Sequence, residues 1–417
     1  MTKKRILVSA YACNPSGAVH LHPGEDLAGW RFVEQIARFH DVWVITHEYN
    51  REGVLAGLAA GGAKGVRFRF LALPPPLGAL YKIDFGQRIY YYLWQVAALR
   101  AARRLHREVR FDLAHHVTFG NDWIPSWIGA FLPVPFIHGP VGGGQRTPRG
   151  LLEEYTFGGR LSELARNAAQ WLGRRDPVRR RCLRKAKAIL VCNRETRDRI
   201  PESRRGKTMY FPVNGVARED MDPGGPADSG PRPFRVFTAG RFHRLKGFAL
   251  AVKGFRLFAR SFPDSEFVIA GRGPEEAALR RLVAKLGLVE KVRFTGWLPR
   301  ASLLHEMRLA DVFLFPSFRD GGAAVVVEAM AAGKPVIGLD SGGPGLHIQP
   351  GWGFKIDPQD PVHVAGEIAR ALETLHRDPA LRAAMGEAAR RRAEEYYLWD
   401  RHGDRFLEIY AQALGGG

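Results

Sequence analysis

Cysteine is scarce: the chain of 417 residues holds three, Cys13, Cys182 and Cys192. Three cannot all pair, and no Cys-x-x-Cys spacing occurs. A disulfide scaffold and a cysteine zinc site are thereby excluded, and a reducing cytosol is expected. Long apolar runs are missing too, since no segment approaches the ~18 residues that a bilayer-spanning helix needs. The start, MTKKRILVSAYAC, is basic, but its apolar run of about seven residues reads as a buried first strand rather than a signal segment. No Gly-x-Gly-x-x-Gly follows that strand, which counts against a nicotinamide-dependent oxidoreductase. No RNA-binding or zinc-finger pattern and no repeat of solenoid period is present. Acid is outnumbered: 42 Asp and Glu stand against 62 Lys and Arg, for a net charge of +20 and a pI near 10.2. An anionic partner follows, whether nucleotide, nucleic acid or acidic membrane surface, unless the arginines serve only solubility.

What is present is a rhythm. Apolar strand-like runs alternate with helical patterns: RILVSAY, GWRFVEQIARF, DVWVIT, FDLAHHV, PFIHGP and AILVCN. The rhythm restarts with FRVFTAG, FALAVKGFRLFARSF, EFVIAG, EEAALRRLVAKLG, VRFTGW, SLLHEMRLA, VFLFPS, AAVVVEAMAAG and PVIGLD. Repeated βαβ units predict an α/β chain with two Rossmann-like, doubly wound domains facing across a cleft. The expected division is an N-terminal domain over 1–215, a Pro/Gly/Asp-rich linker over 216–233 and a C-terminal domain over 234–395. A final helix, about 396–414, is expected to pack back on the first domain.

Three strand–loop–helix transitions in the second half carry chemistry. In TAGRFHRLKGFALAV the strand ends at Gly240, and Arg241 and Lys246 precede Gly247 and a helix. Two cations beside a helix N-terminus make a seat for a diphosphate; the plainer alternative is a solvated basic loop. VIAGRGPEEAALRRL offers Gly271 and Gly273, a tight turn or a wall for a base, and FTGWLPRASL repeats the form. In SFRDGGAAVVVEAMAAGKPVIGLD, Asp320 precedes Gly321, Gly322, Ala323 and Ala324, and Glu328 follows within an apolar helix. A Glu on such a helix needs a partner, and sugar hydroxyls would supply one. The alternative is an N-capping Asp and a Glu paired with an arginine elsewhere.

This set of motifs, in this order, resembles glycosyltransferase family 4, retaining enzymes of the GT-B fold. The likeness is dense over the second domain and reaches the first through ILVSAYACNPSGAVHLHPGEDLAGW and HHVTFGNDW…GPVGGGQRTP, similar to a bacterial branch that assembles surface polysaccharide. The resemblance implies transfer of a hexosyl or related sugar from a nucleotide-diphosphate sugar to a glycan or lipid-linked hydroxyl. It implies no further cofactor and no metal. It places Arg241 and Lys246 on the donor diphosphate and Glu328 on the ribose. Asp320, with the amides of Gly321 to Ala324, is placed on the donor sugar, and Gly240 and Gly273 line the donor site. The family usually carries Glu where Asp320 stands. A family histidine beside the reacting carbon points to His115 or His116, which face opposite ways in a strand, with His116 favoured. The alternative is a strand-end histidine bonded to backbone. Gly17, Gly24, Gly142 and Gly143 are expected to form acceptor or phosphate loops; His20 and His22 are candidate acceptor contacts or plain loop surface.

The basic stretches RIYYYLWQVAALRAARRLHREVR (88–110) and LGRRDPVRRRCLRKAK (172–187) suggest a first domain resting on anionic lipid, or a solvated arginine face. A cytoplasmic protein, peripheral on the inner membrane face, is the resulting expectation, with no nucleic acid as partner. A GT-B sugar-nucleotide epimerase, a phosphorylase and a basic nucleic-acid-binding protein are the competing readings. A phosphorylase would need a lysine-bound pyridoxal phosphate site, for which no distinctive segment exists.

Overall fold

The computed structural model describes residues 3–16, 23–78, 80, 84–221 and 232–415. Gly17, His20 and His22, and residues 222–231 of the expected linker, lie outside the described residues.

The first sheet has seven parallel strands: β1 (Arg5–Ser9), β2 (Asp41–His47), β3 (Arg67–Leu71), β4 (Leu113–His116), β5 (Phe136–Val141), β6 (Ala188–Val191) and β7 (Thr208–Tyr210). Their spatial order is β3-β2-β1-β4-β5-β6-β7. The second has six: β8 (Phe234–Ala239), β9 (Ser265–Ala270), β10 (Val292–Gly296), β11 (Val312–Phe315), β12 (Val336–Leu339) and β13 (Gly353–Ile356), ordered β10-β9-β8-β11-β12-β13. Central strands such as β1, β6, β8 and β11 are apolar on both faces, as a parallel sheet covered by helices requires. In each sheet the winding reverses once, between β1 and β4 and between β8 and β11. Ligands of doubly wound sheets bind beyond the strand ends at such a reversal.

Cα packing divides the chain into two units. Unit 1 comprises Met1–Gly144, Asn167–Val213 and Trp399–Gly417; unit 2 comprises Gln145–Arg166 and Asn214–Leu398. The C-terminal helix Trp399–Gly415 packs Phe406 edge-on to Phe32 and stacks it on Phe211 within unit 1. The sequence reading placed 145–166 with the first domain, whereas this segment is folded into unit 2. Leu151 is fully buried in the unit 2 core, and Glu154 pairs with Lys253 at 2.7 Å. Gly150 sits so close to the Gln359 carbonyl that a Cβ would lie 1.4 Å from it. A discontinuous domain of this kind leaves no boundary composition to read.

Tyr90, Tyr91, Trp94 and Leu99 of the helix Asp84–Val109 are core residues of unit 1, not the lipid-facing aromatics expected from their basic neighbours. Its exposed residues include the arginines Arg88, Arg100, Arg103, Arg104 and Arg107, with Ile89 and Glu108. Among the described residues no helix is long and apolar enough to cross a membrane.

Candidate active site

In unit 2, β8 runs into Gly240 and Arg241, then a 3₁₀ turn Arg244–Lys246, then Gly247 and the helix Phe248–Ser261. Gly247 caps that helix in the left-handed region at φ +71°, with no side-chain cap on the first-turn amides. A Cβ there would lie 2.0 Å from the Pro316 carbonyl, so the position requires glycine. The close approach ties two loops together. Phe318 donates its N–H to the Leu245 carbonyl at 2.8 Å, and Ser317 Oγ donates to the same oxygen at 3.1 Å.

That tie brings Lys246 onto Asp320, whose Oδ2 accepts from Lys246 Nζ. Asp320 Oδ1 accepts the amides of Gly322 at 3.1 Å and Ala323 at 2.7 Å. Burial favours the neutral acid, but the Lys246 ammonium and the two amides outweigh it and hold the Asp320 carboxyl below its ordinary range. Asp320 therefore folds its own loop at the mouth of the helix Ala324–Ala331, much as an N-cap does. Asp320 Oδ1 thus already engages the Gly322 and Ala323 amides, two of those that the resemblance places on the donor sugar.

Glu328 is also paired. Its Oε1 accepts from Arg300 Nη1 at 2.6 Å, and Arg300 Nη2 reaches Asp220 at 2.6 Å. The arginine alternative holds for this carboxylate, and neither Arg300 nor Asp220 was singled out from the sequence. Arg241 is exposed. Burial and then the charges of Arg241 and Lys246 push the pKa of His243 down, which marks this corner as electropositive and suited to an anion.

Gly273 is packed rather than open: a Cβ would meet the Phe242 backbone at 2.7 Å, and Phe242 N–H donates to the Arg272 carbonyl at 2.9 Å. The loops after β8 and β9 are thus zipped together. A separate pocket of about 230 Å³ is lined by Phe248, Leu279, Leu282 and Phe318, but by none of Lys246, Asp320 and Glu328. Its charged rim is engaged in the pairs Arg244–Glu275 and Lys253–Glu154.

Behind the Asp320 loop stands a residue the sequence reading missed. His347 is buried; its Nε2 donates to the Gly322 carbonyl at 2.9 Å, and its Nδ1 accepts from the Tyr397 hydroxyl at 2.7 Å. The carbonyl can only accept, which assigns the tautomer. Burial, offset in part by the Gly322 bond and Asp320, lowers its pKa to about 4. The unfolded chain then binds the additional proton between the ordinary value of 6.5 and about 4. The stabilisation is complete above that window and is lost as pH falls through it, about 3 kcal/mol if fully expressed. Urea unfolding near pH 7 and pH 4.5 should show a smaller acid loss in His347→Gln than in the unsubstituted protein. An equal loss in both would assign the acid sensitivity to other groups.

In unit 1 the alternation of the two histidines is as a strand demands. His115 bonds the Tyr410 hydroxyl and the Gly139 carbonyl, both at 2.7 Å. His116 bonds the Tyr91 hydroxyl at 3.1 Å and Ser9 Oγ at 3.2 Å. Both rings are buried, and burial holds His115 at about 3 and His116 at about 4. His116 is thus a neutral ring with both nitrogens engaged, by side chains rather than backbone. The Gly142–Gly144 stretch is held by hydrogen bonds. Gly142 N–H donates to the Gly120 carbonyl at 2.8 Å, Gln170 Nε2 donates to the Gly143 carbonyl at 2.8 Å, and Gly144 N–H donates to Thr196 Oγ1 at 3.1 Å. Gly24 lies in the first turn of the helix Pro23–Ala37, with open space where a Cβ would stand. Next to it, Glu25 Oε1 accepts the Phe119 amide at 2.6 Å, and burial raises its pKa to about 7. Among the described residues no group of three or more His, Cys, Asp or Glu is gathered as a metal ion would need.

Residues 227–392 match the family described as glycosyl transferases group 1. The chain is 31% identical over 171 residues to a GDP-mannose-dependent monoacylated alpha-(1-6)-phosphatidylinositol monomannoside mannosyltransferase of Corynebacterium glutamicum, covering 39% of this chain and 43% of that protein. It is 35% identical over 189 residues to a D-inositol 3-phosphate glycosyltransferase of Pseudarthrobacter chlorophenolicus, covering 44% of each. The chain thus spans under half the length of these relatives. Among solved structures, sucrose-phosphate synthase from Thermosynechococcus elongatus superposes over 100% of both chains with a TM-score of 0.67 at 20% identity. Anabaena HepE in complex with UDP does so over 98% of this chain and 100% of its own, with a TM-score of 0.62 at 16% identity. The fold is GT-B, and the stretch that matches the glycosyl transferases group 1 family, 227–392, falls in unit 2.

Proposed function

We propose that this protein is a retaining glycosyltransferase that moves a sugar from a nucleotide-diphosphate sugar to a hydroxyl of a glycan or lipid-linked acceptor, in surface polysaccharide assembly. One observation carries the reading: the loops after β8 and β11, which flank the reversal of winding in unit 2, bring Lys246 onto Asp320, and the helix that follows carries Glu328 on Arg300. The names of the relatives support it, since they are sugar transferases, one of them dependent on GDP-mannose.

In this reading the donor diphosphate takes Lys246 from Asp320 and recruits Arg241. Asp320 Oδ2 is then released to accept a hydroxyl of the donor sugar, while Oδ1 stays on the Gly322 and Ala323 amides. Glu328 keeps Arg300 on Oε1 and accepts a ribose hydroxyl on Oε2. The bond from the anomeric carbon to the diphosphate oxygen breaks as the acceptor oxygen attacks the same face, and the departing phosphate oxygen takes the acceptor proton. The work of the chain is to stabilise negative charge on the leaving diphosphate. The acceptor side is assigned to unit 1, where Gly24, His116, Gly142 and Gly143 stand. The acceptor is placed at the cytoplasmic face of an anionic membrane.

Thermal shift with UDP, GDP and ADP tests the donor site. A ligand at a hundred times its Kd stabilises the fold by about 2.7 kcal/mol. One nucleotide should raise the Tm of the unsubstituted protein, and that rise should vanish in Glu328→Ala, in which Arg300 retains Asp220. No response to any nucleotide would remove the donor site.

A further inference from the structure

The helix Phe157–Gly173 is built inside out. Its two buried residues, Glu163 and Gln170, are polar and face the protein. Glu163 is buried and meets Arg319 Nη2 at 3.1 Å, Thr147 Oγ1 at 3.2 Å and Arg166 at 3.3 Å. Gln170 is buried on the Gly143 carbonyl, and just past the helix end Arg174 donates to Asp122 at 2.7 Å. Its large apolar residues face outward. Phe157, Leu161, Leu164, Trp171 and Leu172 are between 52% and 85% exposed. At 3.6 residues per turn these five, with exposed Ala168, fall within an arc of about 100°. A single continuous stripe on one helix is not the scattered surface leucine of an ordinary soluble protein.

The surroundings of the stripe select its partner. From Phe157 to Lys187 the chain carries ten Lys and Arg against two carboxylates, Glu163 and Asp176. Arg160 and Arg175 are exposed, the latter with its guanidinium 3.4 Å from the centre of the Trp171 ring. Arg180, Arg181 and Arg184 stand exposed on the next helix, Pro177–Lys185. A second copy of a chain this basic is repelled by like charge, whereas an anionic bilayer offers acyl chains to the stripe and headgroups to the arginines.

We propose that the outward apolar face of the helix Phe157–Gly173 inserts into the interfacial layer of an anionic membrane, with the flanking arginines on lipid phosphates. The proposal deepens the membrane-surface reading above and rests on it. It moves the apolar contact away from the aromatics of Asp84–Val109, which are core.

Flotation of the full chain with vesicles rich in phosphatidylglycerol, and with vesicles of phosphatidylcholine alone, tests it. The protein should float with the anionic vesicles only. The triple variant Leu161→Ser/Leu164→Ser/Leu172→Ser, altered only at exposed positions, should keep its circular dichroism and its nucleotide response and lose partitioning by about tenfold or more. Acyl chains brominated near the headgroup should quench tryptophan fluorescence less in Trp171→Phe. Equal flotation of the triple variant would overturn the role of this helix and leave the membrane reading standing. If the unsubstituted protein ignores anionic vesicles, both fall, while the nucleotide-binding reading is untouched. Self-association that the triple variant abolishes would identify a second copy as the occupant and refute the lipid assignment.

Discussion

Lys246→Met is expected to lower the rate of sugar transfer about 10²–10³-fold, because removing one preorganised donor from a developing oxyanion costs about 2.7–4 kcal/mol in comparable sites. The structure adds a second consequence. Lys246 is the cation on Asp320 Oδ2, so the substitution also strands a largely buried carboxylate. Asp320 would keep the amides of Gly322 and Ala323, so the loop should hold its shape while its charge is no longer offset. Lys246→Met combined with Asp320→Asn should therefore recover stability but not rate. The checks are a single-turnover transfer assay and urea unfolding of the single and double variants. Arg241→Ala should cost less, about tenfold, because an exposed guanidinium is partly replaced by water. If Lys246→Met keeps more than half the rate, Lys246 does not hold the leaving group, and its pairing with Asp320 is only structural.

The second large effect is on the fold. Gly247→Ala should destabilise the protein by about 3 kcal/mol or more, since a left-handed residue with a Cβ costs about 1–2 kcal/mol before any clash. The clash follows at once, with the new methyl 2.0 Å from the Pro316 carbonyl. Relief requires the loops after β8 and β11 to separate, which would pull Lys246 from Asp320. Stability and donor binding should fall together. Gly321→Ala is the control. Its Cβ meets nothing nearer than Gln145 Nε2 at 3.4 Å, and its φ is not positive. Its stability should change by no more than about 0.5 kcal/mol. Melting curves of the two variants, with and without nucleotide, separate the cases. A Gly247→Ala protein as stable as Gly321→Ala would mean that the loop tie has slack.

The central strands were legible because a strand buried on both faces is an unbroken apolar run. FRVFTAG, EFVIAG, VFLFPS and PVIGLD became β8, β9, β11 and β12. Three of the four sheet edges were not legible. β3, β7 and β13 are short or alternate with charge and lie partly in solvent, as edge strands do. The candidate site divides in the same way. Arg241, Lys246, Asp320 and Glu328 stood out because charged residues at glycine-bearing strand ends have few structural reasons to be there. The residues that hold them did not, because Arg300 reaches Glu328 across 28 positions of chain, Asp220 reaches Arg300 across 80, and His347 reaches the Gly322 carbonyl across 25.

The sequence by itself determined the α/β class, the doubly wound rhythm, the excess positive charge and the loops where an anion would sit. These are local or summed properties: hydrophobic period, turn residues and composition. Only the tertiary structure decided that both carboxylates are already paired, that His116 is a buried neutral ring, that 145–166 folds with unit 2, and that one helix turns its apolar face outward. Each depends on which distant residue fills the space beside a side chain. Periodicity tells which residues share a face, but not whether that face meets protein or water.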